Sequence, residues 1–371
     1  MRRDSRPPRY IWQREDWPHF VWNSDEIISL LENVNRLHGL LSGRLSAMGI
    51  DNREKLQLDA MAAELISSAE IEGMTLNPVS VRSSIARKLG LEGEGLVKED
   101  HYVEGLVDVM MDAVKNCAAP LSAARLFDWH AALFPTGRSG MYKITVADWR
   151  KGSEPMQVVS GAVGRQKVHY EAPPSERVDE MMAALMEWAN TASMSPILKS
   201  GILHLWFVTI HPFDDGNGRL SRTVADMFLS RLDTPEHSRY YSVSAEINQR
   251  KREYYEILER TQKGGLDITE WLKWYLKVLE GAINSSLQAI DGTLDKSRFW
   301  DDHRDVEVNE RQRKVLNMLW DGFDGKLTSS KWAKICHCSQ DTATRDINDL
   351  IKKEMLVKAE SGGRSVHYHL P

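Results

Sequence analysis

Apolar residues recur at helical spacing through most of the chain. In the segments Ile27–Leu41 and Val178–Trp188 they repeat every three to four residues, which is the period of a helix with one buried face. Ser200–Ile210 is apolar on all sides, but it is about half the length of a membrane span and contains a histidine, so we predict a buried core helix there. The pattern predicts a mainly α protein.

Two interruptions divide this helical pattern. Ile144–Pro174 is rich in Val, Gly and Tyr and predicts a β-hairpin, whereas Asp301–Asn309 is charged and has hardly any apolar residue. We place a domain boundary at the second interruption. The predicted regions are an N-terminal helical region (1–90), a core region (91–290), a linker (291–310) and a C-terminal domain (311–371).

The C-terminal domain has its own pattern of elements. We predict helices over Arg311–Leu319, Ser329–Cys336 and Ser339–Lys353, the last with Ser339 as its N-cap. The segment Leu356–Leu370 then alternates around a Gly-Gly turn, which is typical of a hairpin. Three helices followed by a hairpin resemble a winged helix-turn-helix domain.

The composition is that of an ordinary soluble protein. It is 42% hydrophobic and 27% charged, and its formal charge of -5 gives no sign of a nucleic-acid coat or a membrane surface. The N-terminus lacks the apolar stretch of a signal peptide, and three cysteines are too few for a disulfide framework. We expect a cytoplasmic protein with no membrane partner. Cys336-His337-Cys338 lacks a second ligand pair, so we do not expect zinc.

The segment His211–Arg222, His-Pro-Phe-Asp-Asp-Gly-Asn-Gly-Arg-Leu-Ser-Arg, contains the residues that predict chemistry. It follows the apolar helix and precedes a second amphipathic one. Pro212 stops the first helix, and Gly216-Asn217-Gly218 lets the backbone turn with bare N–H groups at the start of the second. Such a helix N-terminus predicts an anion site suited to a polyphosphate.

Four side chains of this segment fit phosphate chemistry. Arg219 and Arg222 are three residues apart and can both face one ligand. Asp215 lies in the loop, where a single carboxylate can hold Mg²⁺ together with phosphate oxygens and water. His211 enters the same loop, and its ordinary pKa of ~6.5 suits a general base at neutral pH.

The same segment resembles the signature of the Fic family, His-Pro-Phe-x-(Asp/Glu)-Gly-Asn-Gly-Arg-x-x-Arg, and matches it at every specified position. The resemblance covers about residues 55–285. It implies a helical fold and transfer of a nucleoside monophosphate, usually AMP from ATP with Mg²⁺, onto a Ser, Thr or Tyr of a protein target. By the same resemblance His211 is the base, Asp215 holds Mg²⁺, and the phosphates are bound by Gly216, Asn217, Gly218, Arg219 and Arg222.

Three further features are similar to the family. Met156–Pro174 has the character of the hairpin flap that holds the target chain by strand pairing. Tyr254, Tyr255 and Gln262 resemble residues that contact adenine, although helix packing explains the tyrosines equally well. The Trp-rich start, Tyr10–Trp22, resembles the N-terminal region of a bacterial subgroup and is expected to pack against the core.

An inhibitory element is also predicted. Glu54–Glu72 has an apolar stripe at helical spacing, and Gly73 is well placed to end that helix. Ser68–Gly73 resembles the family's inhibitory pattern, (Ser/Thr)-x-x-x-Glu-(Gly/Asn). The resemblance implies that Glu72 pairs with Arg222, spoils the γ-phosphate pocket and leaves the resting enzyme largely off.

Several alternatives stay open at this point. The main prediction is an autoinhibited adenylyltransferase that modifies an unknown protein or itself; removal of AMP and transfer of another nucleotide such as UMP are runners-up. A nucleotide-sensing regulator that binds DNA is an alternative of another class. Family members often form dimers, so a homodimer is a further candidate.

The charges of the C-terminal domain do not decide whether it binds DNA. From Glu310 to the C-terminus there are 11 Lys and Arg against 8 Asp and Glu, a net of +3. The predicted recognition helix carries three carboxylates, which repel phosphates unless they face away from the groove: Asp341, Asp346 and Asp349. Arg345 lies among them, and Arg364 at the hairpin tip is the candidate for minor-groove contact. DNA binding and protein or dimer contact both stay open.

Overall fold

The computed structural model describes residues 8–91, 100–161, 165, 167–233, 239–359 and 366–371. It divides into two compact units, Met1–Gln288 and Ala289–Pro371. Both units are built mainly from helices, which confirms the predicted fold class. None of the described helices combines the length and the apolarity that spanning a membrane requires.

Helices dominate the first unit. Five of them precede the predicted hairpin region: α1 (Ser24–Ser46), α2 (Ile50–Ile71), α3 (Pro78–Leu89), α4 (His101–Lys115) and α5 (Ala123–Leu133). Six more follow it: α6 (Val178–Thr191), α7 (Pro196–Ile210), α8 (Asn217–Leu229), α9 (Val243–Gln249), α10 (Lys251–Gln262) and α11 (Thr269–Asp302), of which α11 continues into the second unit. Single 3₁₀ turns occur at Ile11–Gln13, Ser175–Arg177 and Ser230–Leu232.

Helix α7 is the centre of the first unit. Pro196 begins it at a position where a missing N–H does no harm, and every residue from Ile197 to Ile210 is buried. Gly201 is needed because a Cβ there would lie 2.7 Å from the ring of Tyr275 on α11. The predicted core helix is therefore confirmed, and its C-terminus is held rigidly where the motif begins.

Two short antiparallel hairpins lie between α5 and α6. The first, β1 (Arg138–Ser139) with β2 (Tyr142–Lys143), is not predicted by the sequence pattern. The second, β3 (Gln157–Ser160) with β4 (Lys167–Glu171), falls within the predicted hairpin segment and has an irregularity between Val158 and Val159. We call β3–β4 the flap.

Helix α2 ends in a tight left-handed turn. Gly73 has φ +76°, its N–H donates to Glu70, and the N–H of Met74 donates to the Ala69 carbonyl at 3.0 Å. This is the glycine-terminated hydrogen-bond pattern that satisfies the last carbonyls of a helix. The predicted helix over Glu54–Glu72 is thus present, begins one turn earlier and leaves Glu72 as its C-cap.

The second unit contains the end of α11, three further helices and a small sheet. These are α12 (Glu310–Trp320), α13 (Ser329–Cys336), α14 (Gln340–Lys352), and β5 (Val357–Lys358) paired with β6 (Tyr368–His369). All three predicted helices are present, and Ser339 caps α14 by accepting from the N–H of Thr342 at 3.2 Å. The core is formed by Phe299, Val315, Leu316, Trp332, Ile347 and Leu350. The identity of this unit as a winged helix stays a prediction.

Two predictions about the C-terminal part need adjustment. The compact units divide after Gln288, and α11 runs to Asp302, so the first half of the predicted linker 291–310 is helical. Phe299, within the predicted linker, packs into the core of the second unit. The charged residues of the linker do not indicate this apolar contact. Arg364 lies outside the described residues.

Candidate active site

The motif loop connects α7 to α8 through two left-handed residues. His211 ends α7 with φ 54° and ψ 59°, and Gly216 begins α8 with φ 84°. Asn217 is buried and braces the loop, because its side chain both accepts from the N–H of Phe213 at 2.9 Å and donates to the Phe213 carbonyl at 2.8 Å. Asn217 therefore holds the stretch from Phe213 to the start of α8 through contacts within the loop itself.

His211 has the hydrogen-bonding arrangement of a general base. Its Nδ1 lies 3.2 Å from the Val208 carbonyl, an acceptor, so Nδ1 carries the proton and Nε2 keeps its lone pair. Burial lowers the pKa of His211; the Val208 carbonyl opposes that effect, and the charge of Arg150 adds to it. A neutral imidazole can accept a proton from a hydroxyl group.

Arg222 is held by the end of α2. Its Nε donates to the Ser68 hydroxyl at 3.0 Å, and its Nη2 donates to the Ser68 carbonyl at 3.0 Å and to Oε1 of Glu72 at 2.7 Å. The arginine side chain is 2% exposed and that of Glu72 is 33% exposed. Burial alone would lower the pKa of Arg222, but the Glu72 carboxylate outweighs it and raises the pKa.

The Glu72 carboxylate also lies at the N-terminus of α8. A Cβ on Gly218 would come within 2.1 Å of Glu72 Oε1, so this position requires glycine while the carboxylate is there. A helix N-terminus attracts negative charge because its first N–H groups have no intrahelical partner. Glu72 thus occupies the place where the sequence predicts phosphate binding.

Arg219 has different partners from Arg222. Its Nη1 donates to the hydroxyl of Tyr102 at 2.9 Å, and its guanidinium lies 4.9 Å from the ring centroid of Phe134. Its Nη2 is 3.7 Å from a carboxylate oxygen of Asp215. The two arginines that can share one ligand are therefore held by separate elements in this state.

Asp215 is suited to a single-carboxylate metal site. Its side chain is 43% exposed, its Oδ2 accepts from the Ser139 hydroxyl, and a cavity of about 430 Å³ opens beside it and Arg219. Mg²⁺ keeps several waters and needs one or two carboxylates with substrate phosphates. An exposed carboxylate beside this cavity, which Arg138 and Arg219 also line, fits that requirement. The described residues contain no group of three or more His, Cys, Asp or Glu that could hold a metal by themselves.

Two residues that the sequence did not single out support the loop. The ring of His130 stacks on Phe213 at 4.1 Å, and its Nε2 lies 3.2 Å from the Asp215 carbonyl. Burial lowers the pKa of His130 and keeps it neutral. Tyr102 holds Arg219 and also contacts the sulfur of Met74, just after the turn that ends α2. Neither residue is near the motif in sequence, so no pattern indicated them.

The residues proposed for adenine contact fall into two groups. Tyr254 is buried with its hydroxyl 2.9 Å from His204 Nε2, and Gln262 is buried and donates to the Thr209 hydroxyl at 3.3 Å. Both therefore have buried partners in the core, and Tyr254 also interacts with Arg222. Tyr255 is 43% exposed and donates to the Ile71 carbonyl at 3.0 Å, at the end of α2. Base contact stays a prediction, with Tyr255 as its exposed candidate.

The flap is attached to α10 through a charged contact. Nδ1 of His169 on β4 lies 2.6 Å from the carboxylate of Glu259, which also pairs with Lys263. Hydrogen bonds from Lys263 and His169 lower the pKa of Glu259 to about 2. This contact keeps the flap beside the helix that carries Tyr255.

Comparisons with known proteins match two segments of the first unit to domain families. Residues 120–229 match the model of the Fic/DOC family, and residues 10–91 match a domain of unknown function, DUF4172. A solved structure of a Fic family protein from Desulfovibrio desulfuricans G20 is 20% identical, with a TM-score of 0.56 over 95% of this chain and 97% of that one. At this identity the likeness shows a shared fold.

Curated relatives match over shorter segments. A protein adenylyltransferase fic-1 of Caenorhabditis briggsae is 30% identical over 31% of this chain and 22% of its own. A protein adenylyltransferase Fic of Nematostella vectensis is 23% identical over 62% and 49%, and a uridine 5'-monophosphate transferase of Xanthomonas campestris is 25% identical over 38% and 27%. The matched part of the chain spans about a fifth to a half of the length of these relatives.

Proposed function

We propose that this chain, whose residues 120–229 are a Fic/DOC domain, is an autoinhibited protein adenylyltransferase. It transfers AMP from ATP to a Ser, Thr or Tyr hydroxyl of a protein, and it rests in an inhibited state. Adenylyltransferases among the relatives support the reaction class. The contact between Glu72 and Arg222 is the single observation that carries the inhibited state.

The reaction assigns a separate task to each part of the motif. His211 Nε2 takes the proton from the target hydroxyl as the oxygen forms a bond to the α-phosphorus of ATP, and the bond from that phosphorus to the bridging oxygen breaks, releasing pyrophosphate. The N–H groups of Gly216–Gly218 and the guanidinium of Arg219 bind the phosphates. Asp215 would hold Mg²⁺, which neutralises phosphate charge when it is bound.

Inhibition follows from the position of one carboxylate. Glu72 engages Arg222 at 2.7 Å and lies against Gly218 at the start of α8. A γ-phosphate needs the same guanidinium and the same N–H groups, and its negative charge is repelled by Glu72. ATP therefore binds poorly, or in a pose unfit for in-line attack, until the end of α2 moves.

The flap is the proposed docking element for the target chain. Among the described strands, β3 and β4 pair only with each other, which leaves the outer edges of this two-stranded sheet without a strand partner. An extended peptide can add to such an edge through main-chain hydrogen bonds, and this binding places little demand on its sequence.

The test compares wild type, Glu72→Gly and the double variant Glu72→Gly with His211→Ala. Each is incubated with α-labelled ATP and Mg²⁺, and label is scored on the protein itself and on lysate proteins. We expect faint label in wild type, at least tenfold more in Glu72→Gly, and a loss of about 10²-fold or more in the double variant. Glu70→Gly is the matched control, because Glu70 lies at the same end of α2, accepts a hydrogen bond from Asn248 on α9, and does not contact Arg222.

Other outcomes separate the remaining alternatives. If Glu72→Gly transfers label only from UTP, the protein is a transferase of another nucleotide. If it transfers no nucleotide but removes AMP from a modified target, the reaction runs as deAMPylation. If it does neither, the adenylyltransferase proposal is wrong.

A second candidate function is DNA binding by the C-terminal unit. Two of the three carboxylates of α14 are satisfied within the unit, since Asp346 is buried against Arg311 and Asn309, and Asp349 accepts from Gln312 and Lys353. Although burial opposes it, Arg311 lowers the pKa of Asp346 below its ordinary value. The exposed face of α14 then carries mainly groups that can contact bases and phosphates: Gln340, Thr344, Arg345, Asn348 and Lys352.

Fluorescence anisotropy of the full chain with duplex DNA tests this function. Arg345→Ala should weaken binding severalfold and reduce its salt dependence, whereas Arg298→Ala, an exposed arginine paired with Asp295, should not. Absence of salt-dependent binding would contradict it, and sedimentation of the chain would then test the alternative of contact between copies.

A further inference from the structure

Arg150 is a buried arginine that joins the motif loop to the end of the flap. Its side chain donates from Nε to the carbonyl of His211 at 2.8 Å and from Nη2 to the carbonyl of Pro173. Its own N–H donates to the carbonyl of Pro212 at 2.8 Å. Arg150 is 4% exposed, so these contacts are shielded from water.

The charge of this guanidinium is not balanced by an ion pair. Within the described part of the chain, no carboxylate lies within 4.0 Å of it, so Asp214 and Glu176 favour its charge only from a greater distance. Its side-chain hydrogen bonds go to backbone carbonyls. A buried cation without a paired anion is unfavourable, and such an arrangement persists only where the surrounding structure requires it. The position of Arg150 therefore calls for an explanation beyond fold stability.

The turn at His211 supplies one part of that explanation. A left-handed conformation is unfavourable for a residue with a side chain, and it persists only when neighbouring contacts over-determine it. Arg150 bonds the carbonyl of His211 through its side chain and that of Pro212 through its backbone, which fixes the direction in which the imidazole leaves the chain.

The electrostatics of His211 supply the other part. The imidazole interacts with the positive charge of Arg150 and with the negative charges of Glu72 and Asp215. Both carboxylates raise the pKa of His211, whereas burial and Arg150 lower it. Arg150 is thus the cation that opposes two anions next to the base.

We propose that Arg150 is a positioning residue for the general base: it locks His211 in its left-handed turn, places a positive charge beside the imidazole, and ties both to the end of the flap. The kinetic consequence of this inference rests on the proposed function, whereas the contacts of Arg150 do not. Because Pro173 follows β4 closely, binding of a target to the flap and alignment of the base are linked through one side chain.

The kinetic experiment uses Glu72→Gly as the active parent and adds Arg150→Gln, Arg150→Lys or Arg231→Gln. Arg231 is the matched control, because it also donates to two backbone carbonyls, those of Cys117 and Ala119, but does not contact the motif loop. In Arg150→Gln the acid side of the pH profile of kcat/KM should move to higher pH, so that the rate at pH 6 falls about three- to tenfold more than the rate at pH 8. Arg150→Lys keeps the positive charge but loses the forked guanidinium that reaches two carbonyls. We therefore expect a lower rate with little change in the pH profile of kcat/KM. Arg231→Gln should leave the profile in place.

An NMR titration answers the question even if no nucleotide is transferred. The ¹³Cε1 signal of His211 in labelled protein is assigned by its loss in His211→Ala and followed against pH. Its midpoint should rise in Arg150→Gln and stay unchanged in Arg231→Gln. Equal midpoints in the parent and Arg150→Gln would overturn the proposal.

Arg150→Lys covers the case in which Arg150→Gln does not fold. It keeps the positive charge but cannot reach the carbonyls of His211 and Pro173 with one forked group, so the midpoint of His211 should stay near that of the parent while the rate falls. A full parental rate in Arg150→Lys would show that the guanidinium does not position the base, and would overturn the proposal.

Discussion

Two glutamates on helix α2 show opposite ways of holding a carboxylate against an arginine. Glu64 has a side-chain exposure of 5%, and its carboxylate accepts from the hydroxyls of Ser242 and Ser244 and from the N–H of Ser244. Glu72 lies eight residues later, is one-third exposed, and has Arg222 as its hydrogen-bond partner among the described residues.

The arginine that faces Glu64 belongs to a closed buried network. Nη2 of Arg239 lies 3.4 Å from Glu64 and 2.9 Å from Asp226 on α8. Burial raises the pKa of Asp226 well above its ordinary value, while Arg239 opposes that change. Because water cannot reach this network, removing one member leaves the others without compensation.

The comparison teaches how one helix can be both anchored and movable. Glu64 fixes the middle of α2 to α9 and to Arg239 in the dry core, whereas Glu72 holds only the end of the helix, where water can replace the contact. Release of the end of α2, which the proposed inhibition requires, therefore does not require unfolding of the unit. Four predictions test this difference between Glu64 and Glu72.

The largest effect is expected for Glu64→Ala. It leaves Arg239 with one carboxylate and two serines with unsatisfied donors, so the free energy of unfolding should fall by about 3 kcal/mol or more. Glu72→Ala is the matched substitution on the same helix and should lower it by about 2 kcal/mol or less, because Arg222 is buried but keeps both of its hydrogen bonds to Ser68. Urea unfolding of both variants measures the difference. Equal losses of stability would contradict the division between an anchor, the buried contacts of Glu64, and a latch, the contact of Glu72 with Arg222.

Glu72→Gln should release the enzyme partly. The amide can still accept from Arg222, but it lacks the charge, and hydrogen bonds to charged groups are stronger than neutral ones by roughly 1 kcal/mol. We expect labelling about five- to tenfold above wild type and below that of Glu72→Gly. Labelling as low as in wild type would show that shape, rather than charge, blocks the phosphate pocket.

The sequence predicted those parts of the site whose contacts lie between neighbouring residues or between residues of the motif. The buried helix before His211, the turn at Gly216 and the helix end at Gly73 follow from apolar pattern, proline and glycine placement. The contact between Glu72 and Arg222 was predicted only because a motif resemblance joined two segments 150 residues apart.

The supporting residues could not be predicted for a physical reason. His130 reaches Asp215 across 85 residues, Tyr102 reaches Arg219 across 117, and Arg150 reaches His211 across 61. Their neighbours in sequence carry the ordinary pattern of helices and loops, so nothing marks them before the chain is folded. Nothing in the sequence marks Glu64 either, because the burial of a side chain depends on which element covers it.

Ser68→Ala should release the latch less than Glu72→Gln. It removes the hydroxyl that accepts from Arg222 Nε and leaves both the Ser68 carbonyl and Glu72 in place. One neutral acceptor contributes about 1 kcal/mol, so labelling should rise about three- to fivefold over wild type. Ser67→Ala, one position earlier, is the control. A Ser68→Ala rate equal to that of Glu72→Gly would show that the latch has no graded strength.

The smallest effect is expected for Tyr255→Phe. Its hydroxyl donates to the Ile71 carbonyl at the end of α2, where carbonyls lack intrahelical partners, but the residue is 43% exposed and water can take its place. Labelling should rise about twofold at most.

Thr261→Val provides the contrast on the same helix, α10. The hydroxyl of Thr261 is buried and donates to the Ile257 carbonyl of α10, so its replacement perturbs the helix without removing a contact to α2 or Arg222, and labelling should not rise. In the Glu72→Gly parent, Tyr255→Ala then asks a separate question: if this ring also contacts adenine, KM for ATP rises severalfold, whereas Tyr255→Phe leaves KM unchanged. A rise in labelling with Thr261→Val equal to that with Tyr255→Phe would mean that the latch responds to general loosening of α10, and that the end of α2 is not an independent element.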